Sequence, residues 1–232
     1  ADLAAALNLH PLVAEVLWQR GCRDVAAARA FLDFTAYTPA SPFALPDMDR
    51  AVARLRAAID AQEHIRIWGD FDVDGQTSTS VLLLGLRRLG ARVDFTIPDR
   101  AAHSHGLNRD GLRLAADDGV RVLLTCDCGI AEFDDIDWAM AHGMDVLVSD
   151  HHDLVHSADG SPRLPAAQAV VNPKRLSADH PLSQLPGVGV AYKVIEALFH
   201  TLTPEQDIAD LLDLVALGIV ADVAQQRGDT RF

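Results

Sequence analysis

The sequence predicts an α/β protein: a mostly parallel sheet flanked by helices, with an N-terminal helical extension. Three observations carry this. From residue 64 onward, short apolar runs of strand length alternate with stretches of helical periodicity, the pattern of a parallel sheet covered by helices. Before that point the chain carries helical and loop signals only. With 49% apolar and 23% charged residues among 232, the composition is that of a folded domain able to bury a core, which rules out disorder as its main description.

The elements follow in order. The first 34 residues are expected to be helical: Pro11 opens an amphipathic run to Arg20 that Gly21 ends, and Asp24 is placed to cap Val25 to Leu32. Thr35 to Pro46 carries three prolines with Ser and Thr, so it is a linker or loop. Residues 1–46 therefore form a helical extension and linker, and 47–232 a second domain. Asp47 is expected to cap a helix to about Ala61, with Val52, Leu55 and Ile59 on one face. Strands are expected at Ile65 to Trp68, Arg92 to Ile97, Val120 to Thr125, Asp145 to Ser149 and Ala169 to Val171. Helices are expected at Thr77 to Leu89, Arg109 to Asp118, Ala131 to His142, Gly187 to Leu202 and Pro204 to Leu217, with a short apolar run from Gly218 to Val223 after the last. The start lacks Met and a basic n-region, and the ending Gly-Asp-Thr-Arg-Phe has no helix stop, so a segment of a longer chain is expected.

The chain has 33 acidic and 20 basic residues, a net charge of −13; 28 of the acids are Asp and 18 of the bases are Arg. This argues against a protein whose whole surface grips nucleic acid. It does not exclude a nuclease, because carboxylates that hold cations count as negative charge. Apolar stretches such as Val81 to Leu86 are far shorter than the roughly 18 residues of a membrane span, so no membrane association is expected. Three cysteines suit a reducing compartment, taken as the cytoplasm.

In open α/β sheets, ligands bind beyond the carboxyl ends of the strands. Polar clusters fall at such ends: Asp70, Asp72 and Asp74 with Gly75, then Asp127 between Cys126 and Cys128, then Asp150-His151-His152, with Asp222 after the last apolar run. Converging carboxylates push each other's pKa values up unless cations neutralise them. Mixed carboxylate and imidazole donors suit Mn²⁺ better than Ca²⁺, and a carboxylate bridging two ions gives the arrangement that cleaves phosphodiesters. Rival readings exist. The Asp70 to Gly75 run opens like an EF-hand, but its twelfth position is Val81 rather than Glu. Asp72, Asp74 and Thr77 fit an aspartyl-phosphate phosphatase. His151-His152 alone suits a surface turn, and two cysteines without a third or fourth make a structural zinc site a poor fit.

Together, Asp70-x-Asp72-x-Asp74-Gly75, Thr125-Cys126-Asp127-Cys128-Gly129-Ile130, Asp150-His151-His152 and Gly218-Ile219-Val220-Ala221-Asp222-Val223 resemble the four motifs of the DHH phosphoesterase superfamily, most closely its RecJ branch of bacterial single-strand-specific DNA exonucleases. Ile97-Pro98-Asp99-Arg100, Gly106-Leu107-Asn108, Val171-Asn172-Pro173 and Gly187-Val188-Gly189-Val190-Ala191 fall where that branch has similar segments, so the resemblance covers about residues 40–232. It implies a DHH catalytic domain with two Mn²⁺ ions, Mg²⁺ being the alternative. Asp72 and Asp74 would each hold one ion, Asp127 would bridge them, and His151 and Asp222 would complete the second site. Asp150 would orient a histidine from behind, and His152 would face the scissile phosphate. Related phosphatases have a His where Trp68 stands, which makes Asp70 the nearest substitute ligand; His103 and His105 depart from an aromatic residue seen in the RecJ branch.

The implied activity is 5′→3′ hydrolysis of single-stranded DNA in repair and recombination, without a covalent intermediate. The implied partners are single-stranded DNA with a free 5′ end, a single-strand-binding protein and a helicase. Further domains of the branch, an OB-fold among them, lie outside these 232 residues. The in-family alternative is a phosphatase or oligonucleotidase acting on short RNA or cyclic dinucleotides; a non-catalytic DNA-binding relative is another. Leu185 to Gly189 also looks like a helix-hairpin-helix motif, which makes Gly187, Gly189, Arg109, Arg113 and Lys193 candidate contacts to DNA phosphates.

Overall fold

The computed structural model describes residues 3–99 and 105–232. Its contacts divide the chain into two compact units, one made of the first forty residues with Phe232, the other Ser41–Arg231. In the first unit, α1 (Leu3–Leu7), α2 (Pro11–Gln19) and α3 (Val25–Leu32) bury Leu3, Leu17, Cys22 and Ala28 together. Asp24 caps α3 as expected, its carboxylate accepting the Ala27 N–H at 2.8 Å.

The second unit runs α4 (Met48–Asp60), β1 (Ile65–Trp68), α5 (Val73–Arg88), β2 (Val93–Thr96), α6 (Arg109–Asp117), β3 (Val122–Cys126), α7 (Phe133–Ala141), β4 (Asp145–Ser149), β5 (Val155–His156), β6 (Pro162–Arg163), β7 (Ala169–Val171), α8 (Gly187–Leu202) and α9 (Leu212–Ala221). Five strands form one parallel sheet in the order β2-β1-β3-β4-β7. Strands β1, β3 and β7 are buried at every position. This is why continuous apolar runs mark β3 and β7 in the sequence, while β1 carries one buried charge, Arg66, paired with Asp94 and Asp118. One set of side chains, including Trp68, Leu123, Val146, Val148 and Val170, packs on Leu112 and Ala115 of α6 and Ile136 and Ala139 of α7. Helices α4, α5 and α8 contact the strands, and α9 packs on α5 and α8. Among the described residues, no helix is long and apolar enough to cross a membrane.

Four differences from the sequence reading bear on the site. Helix α5 begins at Val73, not Thr77, because Asp72 caps it by accepting the Gly75 N–H at 2.9 Å. Gly75, read as closing a loop, lies in the first helical turn, where a Cβ would sit 2.6 Å from the Asp70 carbonyl oxygen. The run Gly218–Val223 is no separate segment: α9 starts only at Leu212 and continues to Ala221, so Asp222 sits at a helix C-terminus rather than a strand end. The β5–β6 hairpin, turned through Gly160 at φ 82°, has no counterpart in the sequence reading, since two-residue strands leave no apolar pattern.

The fourth is Asp47. It occupies the left-handed region (φ 61°) and makes no side-chain cap bond. Its carboxylate instead accepts the Val170 N–H at 3.2 Å and pairs with Arg175 at 2.8 Å, tying the start of α4 to β7. Burial pushes this carboxyl up, but the Arg175 and Val170 hydrogen bonds outweigh it and hold its pKa below the ordinary value. A lowered pKa stabilises the fold above the unfolded-state value of about 3.9 and is lost as pH falls through the folded value. Asp47→Asn is therefore expected to cost about 1–2 kcal/mol at neutral pH. The gap to wild type should shrink as pH falls below the ordinary carboxylate range, in urea midpoints measured across pH.

Candidate metal centre

The sheet order reverses between β1 and β3, because the chain leaves β1 for β2 on one side and crosses back to β3 on the other. A crevice opens at such a point beyond the carboxyl ends. From β1 come Asp70 and Asp72, from the first turn of α5 Asp74, from the end of β3 Asp127, from the end of β4 Asp150, His151 and His152, and from the end of α9 Asp222. Asp127 has φ 61°, a left-handed conformation that Asp tolerates better than most residues. The turn is fastened by the Thr125 hydroxyl donating to the Cys128 carbonyl at 2.8 Å.

Among the described residues, three groups have donor atoms that lie within 4.8 Å of one another and could hold a cation: Asp70, Asp72 and Asp127; Asp74, His151 and Asp222; and Asp127, His151 and His152. Asp127 belongs to two of them. Its Oδ1 lies 3.0 Å from His151 Nε2 yet is buried without a hydrogen bond of acceptable geometry. His151 Nε2 is also 3.6 Å from Asp74 Oδ2. Such a buried, unsatisfied carboxylate oxygen is costly in a protein interior and is the natural ligand of a hard cation.

The electrostatics agree. Burial, then the neighbouring Asp74 and Asp72 carboxylates, push Asp127 up to about 10 in the metal-free protein. Burial likewise raises the pKa of Asp74 and lowers that of His151, disfavouring the charged form of each. Asp150 behaves oppositely. Although fully buried, it accepts N–H groups from Ile130, His151 and His152 and lies 2.8 Å from His152 Nδ1. These bonds overcome its burial and hold its pKa below the ordinary value. The Asp150 hydrogen bond in turn raises His152 to about 9. Asp150 thus fixes both the backbone that carries the histidines and the ring of the second one.

Glycines let the helices approach. A Cβ on Gly187, at the start of α8, would meet Asp127 Oδ1 at 2.7 Å, and one on Gly218 would meet Asp74 Oδ1 at 3.0 Å. The backbone N–H groups of Gly187 and Val188 donate to Asp74 at 2.7 and 2.8 Å. The Gly187 and Val188 amides are thus spent on a carboxylate inside the site; Gly187 and Gly189, read from the sequence as candidate phosphate contacts, are both buried. Lys193 is buried too and pairs with Glu196 and Asp229, both at 2.9 Å. Arg109 pairs with Asp135 at 2.9 Å and lies over the Trp138 ring, while exposed Arg113 pairs with Asp110. Each of the three cations thus has carboxylate partners of its own.

Two features lie beyond the sequence reading. Trp68 is buried and its Nε1 donates to the Gly106 carbonyl at 3.2 Å, so position 68 packs the core and anchors a loop. On that loop His105 Nδ1 lies 3.2 Å from Asp70 Oδ2 and the ring packs on Phe71. His103 lies outside the described residues. Glu132 lines the crevice as well, with Asp70, Asp127 and Asp150; its place in the loop between β3 and α7 is its only sequence signal.

Comparison with known proteins gives a consistent picture. The sequence model of the DHH family, N-terminal domain, matches residues 64–219. The chain is 39% identical over 231 residues to the single-stranded-DNA-specific exonuclease RecJ of Bacillus subtilis (strain 168), covering 100% of this chain and 28% of that protein. With RecJ of Escherichia coli (strain K12) it is 35% identical over 248 residues, covering 100% of the chain and 40% of the relative. Among solved structures, RecJ from Thermus thermophilus in complex with Mn²⁺ superposes with a TM-score of 0.80 at 29% identity, covering 99% of this chain and 31% of that one. A RecJ exonuclease bound to manganese gives 0.72 at 31% identity, covering 83% and 47%. The Thermus protein is also known with Mg²⁺. The chain thus spans well under half the length of these curated relatives.

Proposed function

The chain belongs to the DHH family, and from that membership we propose that it is the catalytic part of a divalent-metal-dependent exonuclease that hydrolyses single-stranded DNA from a free 5′ end in repair and recombination. The observation that carries this is that Asp70, Asp72, Asp74, Asp127, His151 and Asp222 form adjoining donor groups, linked by Asp127 Oδ1, which lies 3.0 Å from His151 Nε2 without a hydrogen bond. Asp70, Asp72 and Asp127 would hold one cation and Asp74, His151 and Asp222 the other, with Asp127 beside His151 between the two groups. Mn²⁺ is the fitting ion and Mg²⁺ the alternative. When bound, the two ions supply charge neutralisation for the phosphodiester and acidify water.

The remaining roles belong to the chain itself. His152, its Nδ1 fixed by Asp150, keeps Nε2 free to donate to a non-bridging phosphate oxygen. Buried Asp74, gripped by two backbone amides, sets the spacing between the two groups of ligands. The chemistry belongs to residues 47–232, residues 1–46 being the extension and linker. A single-strand-binding protein and a helicase are the partners that a single-strand enzyme of this kind requires.

The test is digestion of single-stranded DNA labelled at one end or the other by the full-length protein, with Mn²⁺ or with chelator. Release of the 5′ label first, with chelator stopping it, is expected. Release of the 3′ label first refutes the polarity. Hydrolysis of short RNA or cyclic dinucleotides with no action on DNA would move the chain to the phosphatase and oligonucleotidase side of the family.

A further inference from the structure

Two cavities adjoin the metal centre, of about 360 and 440 Å³, and share His105, Ala131 and Glu132 as a common wall. The inner one reaches Asp127 and His152; the outer one runs past Phe133 to Arg163. His105 stands where they meet. Its side chain is 74% exposed, its Nδ1 is engaged by Asp70, and its ring packs on Phe71 with centroids 4.5 Å apart. The backbone that presents it is anchored: Trp68 Nε1 holds the Gly106 carbonyl, and Gly106, at φ 78°, crosses so close to Glu132 that a Cβ would lie 2.0 Å from its Oε1.

Resting on the single-stranded DNA reading above, we propose that His105, backed by Phe71, is the platform on which a nucleobase flanking the scissile phosphate stacks, with that base entering the outer cavity. The charge of the outer wall argues for a base rather than the sugar-phosphate backbone. Glu132, Asp134 and Asp135 line it, and Arg163 is turned onto the Phe133 ring at 3.8 Å. Carboxylates repel phosphate but accept hydrogen bonds from the exocyclic amines of cytosine, adenine and guanine. A tethered imidazole offers an aromatic face at small entropic cost, and stacking of one base on such a face is worth about 1–3 kcal/mol.

The experiment compares wild type, His105→Ala and His105→Phe in the full-length protein. Single-stranded oligonucleotides, intact or abasic at the first or second nucleotide from the 5′ end, are cut with Mn²⁺, and Mn²⁺ binding is measured separately by calorimetry. His105→Ala is expected to raise KM roughly tenfold on intact DNA, the loss falling on KM rather than kcat, and His105→Phe to recover most of it. One of the abasic substrates should cost wild type a similar factor and cost His105→Ala nothing further. An unchanged KM, an equal tenfold loss on both abasic substrates, or His105→Phe as poor as His105→Ala overturns the platform and leaves the nuclease reading intact. A fall in Mn²⁺ affinity with His105→Ala overturns it too, assigning the ring to holding Asp70. A wild type that neither binds nor cuts single-stranded DNA overturns both readings.

Discussion

Asp127→Asn is expected to lower the rate of phosphodiester hydrolysis by about a thousandfold or more, a loss of roughly 4 kcal/mol of transition-state stabilisation. At the same time it should make the metal-free protein more stable. Both follow from one position. The carboxylate belongs to one candidate cation group with Asp70 and Asp72 and to another with His151 and His152, and His151 is shared with the group of Asp74 and Asp222, so on the proposed reading its loss would weaken the centre as a whole. Without ions it is buried among other carboxylates and lacks a partner for Oδ1. Asn suits the test because it keeps the shape and tolerates the left-handed backbone at this residue, whereas Ala would add strain of its own. A carboxyl whose folded pKa is raised to about 10 opposes folding at every pH above its unfolded value. The gain from Asp127→Asn should therefore be absent near pH 3 and grow toward pH 8, reaching about 1–3 kcal/mol. Mn²⁺ titration during thermal unfolding supplies the complement: wild type rises with added ion, and the variant rises much less. A variant with normal rate and normal Mn²⁺ response would remove Asp127 from the centre.

Gly187→Ala is the second large effect, and helix propensity alone gives it the opposite sign. Alanine is favoured over glycine by about 1 kcal/mol inside a helix. At this position, however, the new methyl would lie 2.7–2.9 Å from Asp127 Oδ1, Cβ and Cγ, and the Asp127 Cβ is fixed by the backbone, so α8 must move. Moving it pulls the Gly187 and Val188 amides off Asp74. The expected outcome is a loss of roughly a hundredfold or more in kcat and of about 1–3 kcal/mol in stability, as overpacking produces. Gly189→Ala should lose less, since its shortest contact, 2.9 Å, is to the side-chain end of Leu185, the fixed Pro186 Cδ and Leu185 Cβ lie farther at 3.2 and 3.3 Å, and it touches no carboxylate of the site. If instead the two glycines presented the helix to DNA, both substitutions would act alike and on KM.

The strands and helices around the centre are legible because β3, β4 and β7 are short runs dominated by apolar residues and β1 and β2 alternate apolar with polar residues, with helical periodicity between them. The metal-ligand candidates are legible because carboxylates and histidines at successive strand ends have one destination in such a sheet. Legibility stops where a residue's partner is remote in sequence. Nothing near Gly187 announces that its amide serves Asp74, and a Gly-rich helix start looks the same whether it faces a phosphate or a buried carboxylate. Lys193 is similar: its pairing with Asp229 depends on the chain returning to α8 after α9. Asp47 misleads because its identity predicts a cap, while its backbone conformation turns the carboxylate toward β7. Trp68 and His105 show the limit on the other side, since only the fold reveals that one anchors the loop carrying the other.

The grip of α8 on Asp74 also sets an order of events during synthesis. Asp74 and its amide partners are 113 and 114 residues apart, and Asp222 comes later still. A chain made from its N-terminus can pair β1, β2 and β3 early, yet the carboxylates at their ends stay open to water until α8 and α9 have been translated and docked. A ribosome-bound chain would therefore carry Asp70, Asp72 and Asp127 before the amide partners of Asp74 and before Asp222 exist, so the candidate cation groups would be completed last. On the proposed function, hydrolysis would become possible only after α8 and α9 have docked on the sheet.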